Sequence, residues 1–192
     1  MVNRYNLQKV LMNKKLLFEP FRLGDITLRN RIVMSAMTRS RADYKTGLAT
    51  DLHRQYYEQR ASAGLILTEC MYVDWRGNGY PGAPGLTNKE QAESWKKVTK
   101  AVHDKGGVIF AQLYHSGRIG HPNYTGLNPV GPSRVEIRDQ IRIFTGKGMD
   151  DPVLCDEMTV KDIKEVEDKF EAAAKFAQEA GFDGIEIHAA NG

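Results

Sequence analysis

Residues 159–188 read TVKDIKEVEDKFEAAAKFAQEAGFDGIEIH. Val160, Ile163, Val166, Phe170, Ala173 and Ala177 recur at three- and four-residue spacing with Lys, Glu and Asp opposite them, so the stretch predicts a helix with one buried face. Thr159 and Asp162 form a capping box at its start, Glu165 to Lys169 and Glu171 to Lys175 add ion pairs one turn apart, and Gly181 supplies a left-handed stop. Behind it Gly184–Ile187 is short and partly β-branched, as a strand buried on both faces is, and His188 follows. The phrase is helix, glycine, strand, polar residue.

Upstream the phrase recurs. Thr87 with Glu90 opens a second helix whose stripe is Ala92, Trp95, Val98 and Val102; Gly106 ends it, and Val108 to Leu113 reads as the next strand. A weaker helix, Thr50 to Ala63, closes on Gly64 and leads into Leu65 to Thr68, with Arg31 to Met34 a strand before it. Alternation of this kind predicts right-handed crossovers and a parallel sheet of four strands. The strands' polar neighbours are Thr38, Glu69 with Cys70, Gln112 with His115, and His188 with Asn191. In a parallel barrel such positions converge on one mouth.

Composition excludes several classes. Of 192 residues, 27 are Lys or Arg and 24 are Asp or Glu, too even a mixture for nucleic-acid binding. No apolar run is long enough to span a membrane. Cys70 and Cys155 lie outside any CxxC or Cys/His spacing, which argues against zinc or a disulfide framework and for a reducing, cytoplasmic setting. Arg4, Lys9, Lys14 and Lys15 hint at organelle targeting, but the absence of serine and of a long apolar run in this stretch weakens the hint.

Between Tyr114 and Thr159 lie six glycines and four prolines, a connection long enough to be a lid or binding loop. Even spacing of Val135, Ile137, Ile141 and Ile143 predicts a small surface hairpin within it. Gly77-Asn78-Gly79-Tyr80-Pro81-Gly82 satisfies GxGxxG on paper. A dinucleotide fingerprint needs those glycines wedged between a strand end and a helix start; here prolines intervene, and a Gly/Pro surface loop is the better reading. His188 and Asn191 are three apart beyond a strand, able to aim an imidazole and an amide at one oxygen, or simply to shape a turn. No lysine lies inside a predicted strand for a Schiff base, and His188 lacks a partner at metal-ligand spacing. His53 and His103 fall on helices as surface or packing residues.

Five ordered stretches carry a family resemblance: Leu28 to Val33, Met37-Thr38-Arg39, Gly79 to Gly85, Ala111 to Arg118, and His188 to Gly192. Together they resemble the old yellow enzyme family, FMN-dependent ene-reductases built on a TIM barrel. The resemblance divides the chain into an N-terminal extension, 1–16, and the first half of such a barrel, 17–192, with an excursion over 115–158. It implies that Ala36, Met37 and Thr38 lie along the flavin, that Cys70 meets the ring edge through its backbone, and that Gln112 binds the pyrimidine side. His188 and Asn191 would grip the substrate's carbonyl or nitro oxygen. It further implies NAD(P)H as reductant and a small-molecule enone as hydride acceptor. Ala36, Tyr114 and Ala189 depart from the proline, tryptophan and glycine usual in that family.

A barrel of this class has eight strands and typically ~250 residues, with its phosphate site in the last loops. Ending after about the fourth strand, this sequence is expected to form a half-barrel that binds FMN weakly or not at all and is inactive alone, its open edges covered by another polypeptide. The alternative is a non-catalytic structural or interaction subunit of a larger assembly. An unrelated barrel enzyme would have to work with Glu69 or Glu186, the latter more plausibly tucked within its strand.

Overall fold

The computed structural model describes residues 15–137 and 141–190. Its centre is a parallel sheet of four strands: β3 (Val33–Met34), β4 (Leu65–Tyr72), β5 (Ile109–Tyr114) and β10 (Gly184–Ile187), ordered β10-β5-β4-β3. Helices α1 (Asp51–Glu58), α2 (Lys89–His103) and α4 (Val160–Glu179) are the crossovers between them, so the alternation predicted from sequence is the alternation observed. α4 carries the Thr159–Asp162 capping box in full, and Gly181 at φ 82° turns the chain out of it.

One face of the sheet and the helices share a core. Ile66, Met71, Ile109, Ala111 and Leu113 from the strands pack with Tyr57, Trp95, Val98, Val102, Ala173 and Ala177 from the helices. Trp95 sits at its centre with no exposed surface; its ring lies 5.4 Å from both His53 and Phe182. The other face carries Cys70, Tyr72 and Tyr114. Register slips between Leu67 and Cys70, and this bulge decides which β4 side chains look inward. At the slip the Gln112 amide N–H is taken by the Thr68 hydroxyl, 3.0 Å away, in place of a strand carbonyl.

Several elements differ from the sequence reading. α1 ends at Glu58, and the chain to Ala63 continues as tight turns. Gly64 serves close approach, because a Cβ there would stand 2.0 Å from the Asn30 carbonyl. α2 is capped by Asn88, whose side chain accepts from the Gln91 N–H, while Gln91 reaches back to the Thr87 N–H at 2.7 Å; the cap lies one residue later than expected and is not a reciprocal box. Lys169 bypasses Glu165 and bonds Asp74 at 2.6 Å.

The expected hairpin is displaced. Val135 is exposed and outside any strand, and residues 138–140 lie outside the described set. The hairpin forms instead from β7 (Ile143–Phe144) and β8 (Met149–Asp150), where Gly146, at φ 85°, permits the turn. Also in the excursion, beyond the short helix α3 (Pro122–Thr125), β6 (Val130–Gly131) pairs in parallel with β9 (Asp156–Glu157). Sequence reading passed over an N-terminal hairpin, β1 (Phe21–Leu23) and β2 (Ile26–Leu28), turned at Gly24. Arg29, just beyond it, donates to the carbonyls of Lys105 and Gly106. Those residues follow α2 and precede β5, so the hairpin closes the strands' N-terminal end.

Candidate functional site

The opposite end, where the strands finish, gathers the polar residues. Beyond β3 the chain stays beside β4: Ala36 and Thr38 are half-buried while Ser35 and Met37 are exposed, a period of two that puts Ala36 and Thr38 on one side. The Thr38 side chain neighbours the Cys70 thiol and favours its ionised form, against the effect of burial. The Cys70 Sγ–H in turn donates to Gln112 Oε1 at 2.8 Å, and Gln112 Nε2 donates to the Glu186 carboxylate. Cys70, Gln112 and Glu186 thus form a polar ladder across the sheet, one rung per strand, on its inner face, with Thr38 beside Cys70.

Register explains the alignment. Cys70 pairs with Gln112 and Glu186 with Gln112, so the three side chains stand level. Two residues on, His188 falls on the Glu186 side of β10 by the pleat, its backbone N–H held by the Leu113 carbonyl at 2.9 Å. Its side chain is half-buried. Asn191 lies outside the described residues.

Above the ladder stand two aromatics. Tyr114 is buried beside Tyr80, ring centroids 5.8 Å apart, and its hydroxyl donates to Asn78 Oδ1 at 3.1 Å. Burial raises both phenols well clear of neutral titration. Burial likewise raises the Cys70 thiol, and the nearby Glu69 and Glu186 carboxylates add to the effect. Cys70 is therefore a protonated donor at neutral pH.

Two residues expected at the mouth are not there. Glu69 belongs to β4, on its helix-facing side, completely buried. Its carboxylate accepts from the Arg39 N–H at 3.0 Å and the Tyr57 hydroxyl at 3.3 Å, with His53 Nε2 3.2 Å away. The bulge turns it outward and gives the inner position to Cys70. His115 packs beneath Gly77, its Nδ1 accepting from the Gly117 N–H at 3.0 Å. Burial lowers its basicity, against the pull of Asp74.

The GxGxxG stretch caps no helix. It is mostly buried instead of lying on the surface: a Cβ on Gly79 would meet the Ile119 carbonyl at 2.6 Å. Among the described residues no three His, Cys, Asp or Glu side chains cluster as a metal site, and no helix is long and apolar enough to cross a membrane. Glu186 is the residue whose place sequence reasoning underrated. Counting two back from His188 would have found it.

Parallel β/α units with a polar ladder at the strands' C-terminal ends define a half-barrel of the TIM type, the ladder lying at the rim where such barrels keep their active sites. The profile of the NADH:flavin oxidoreductase / NADH oxidase family matches residues 16–192, and the chain belongs to that family. It is 43% identical over 185 residues to flavin oxidoreductase hxnT of Emericella nidulans, covering 92% of this chain and 46% of that protein. A probable flavin mononucleotide-dependent alkene reductase of Leishmania infantum is 36% identical, with 92% and 49% covered. The solved old yellow enzyme homologue from Zymomonas mobilis superposes with a TM-score of 0.87 at 43% identity, covering 92% of this chain and 49% of that one. The chain spans about half the length of these relatives, as the half-barrel reading expects.

Proposed function

We propose that this chain supplies the flavin-facing and substrate-gripping half of an FMN-dependent oxidoreductase of the ene-reductase type. The observation that carries the reading is the ladder of Cys70, Gln112 and Glu186 on the inner face, with Thr38 beside Cys70 and His188 one step above. The donor set suits a flavin. Gln112 keeps one lone pair and one N–H beyond its present partners, the complement of an imide edge. Ala36 and the backbone of Met37 and Thr38 offer a thin wall for a flat ring. Cys70 turns its side chain into the ladder, which leaves its backbone for the ring edge.

When bound, FMN supplies a hydride taken from NAD(P)H. The chain's residues orient the two partners. Thr38 and Gln112 hold the ring system's polar edge. His188, with Asn191, donates to the carbonyl oxygen of an α,β-unsaturated substrate, where negative charge grows as hydride reaches the β-carbon; such donors act most strongly in the transition state.

Half of the cavity wall comes from the described strands, and further polypeptide, on the same chain or another, must form the rest. Co-expression with a segment supplying the remaining strands of a related barrel is expected to give a yellow protein that oxidises NADPH in the presence of 2-cyclohexenone. His188→Ala should lower that turnover about 10²–10³-fold, the usual loss for one oxyanion donor. The 192-residue chain by itself should lose flavin on desalting. A colourless assembled barrel would overturn the flavin reading. A chain that alone stays yellow and turns over would overturn the need for completion. Exposed Val33, Ile185 and Ile187 along the sheet's two open edges favour a second reading, a non-catalytic subunit docked in a larger assembly. Co-purification with a partner and no bound flavin in any assembly would select it.

A further inference from the structure

Gln112 stands between two groups of opposite hydrogen-bonding character. On the β4 side the Cys70 thiol donates to Oε1 at 2.8 Å, and on the β10 side the Glu186 carboxylate accepts from Nε2. A carboxylate only accepts, whereas a thiol donates and accepts weakly, so the carboxylate is the partner that decides the amide's orientation. Flipping the carboxamide would turn its carbonyl against the carboxylate, setting acceptor against acceptor in a site where Gln112 is 5% exposed.

We infer that Glu186 is a positioning residue that, with the Cys70 thiol opposite, holds the Gln112 carboxamide in one orientation and so gives the site a fixed polarity. The free lone pair of Oε1 lies toward β4 and the free N–H of Nε2 toward β10. A ligand edge docking there must present its N–H on the β4 side and its carbonyl on the β10 side. The identity of that ligand as a flavin rests on the function proposed above; the orientation of the amide does not.

The test is NMR on the 192-residue chain labelled with ¹⁵N and ¹³C, without flavin. In the wild type one Gln112 Nε2 proton is expected well downfield, moving together with the Glu186 carboxyl carbon as pH is lowered. Glu186→Gln keeps the volume and removes the charge, and should move that proton upfield and abolish its pH dependence, since a neutral amide oxygen accepts more weakly than a carboxylate. The His188 amide, bonded to Leu113, reports that β10 remains paired. If Glu186→Gln unpairs β10, the wild-type co-titration decides alone. Gln112 protons that ignore both Glu186 titration and its replacement overturn the inference.

FMN titrated into the assembled barrel is a separate arm: Glu186→Gln should bind about tenfold more weakly, near 1.4 kcal/mol. An assembled barrel that takes up no FMN while the Gln112 amide shift still follows the Glu186 carboxyl leaves the positioning role standing and sinks the flavin assignment.

Discussion

His115 shows how burial changes what a histidine does. Packed under Gly77 and held as an acceptor by the Gly117 N–H, it is more easily protonated in the unfolded chain than in the folded one. Above about pH 6.5 both states are neutral and the residue is silent. As pH falls through the unfolded value, the unfolded chain takes up the proton first, and stability drops until the folded value is passed. His115→Asn keeps an acceptor near Gly117 and cannot titrate. Urea midpoints at pH 7.5 and 5.5 should therefore fall less in the variant than in the wild type, and equal falls would assign the acid sensitivity elsewhere. Glu69 is legible only in part: its polar character is plain in sequence, its direction is not. One bulge between Leu67 and Cys70 reverses which neighbour faces the mouth.

At the scale of the element, helix ends were more readable than helix lengths. The Thr159–Asp162 box and the Gly181 stop are local, formed by residues three positions apart or by one glycine's φ. Thr159→Ala should cost about 1 kcal/mol, measurable by chemical denaturation. A change under a few tenths would mean the cap is replaced by water. Lys169 illustrates the limit. Helical spacing offers it Glu165, yet it bonds Asp74, 95 residues away in sequence, because exposed i,i+4 pairs stabilise by only ~0.3–0.5 kcal/mol and yield readily to a better partner. The displaced hairpin has a similar cause. Alternating isoleucines mark several possible strands, and the residues that can turn the chain, Gly146 with Gly148, choose among them.

For the whole molecule the decisive feature is the unclosed sheet. β3 and β10 each leave one side without a strand among the described residues, and Ile187 is 60% exposed at the β10 edge. Unpaired edges with apolar neighbours promote self-association. Sedimentation velocity of the purified chain should show mass increasing with concentration, and Ile187→Lys should suppress it, since a lysine on an edge strand resists pairing. A wild-type chain that stays monomeric across the range would show the edges to be protected already.

Sequence alone determined the alternation, the parallel order it entails, both ends of α4, and Thr38, Gln112 and His188 as inward candidates, because these follow from periodicity and short-range geometry. Only the tertiary structure decided that Cys70 and not Glu69 faces the mouth, that His115 is packed away, and that Glu186 joins the ladder. Each of those outcomes depends on register between strands distant in sequence, and one slipped residue turns a side chain to the opposite face.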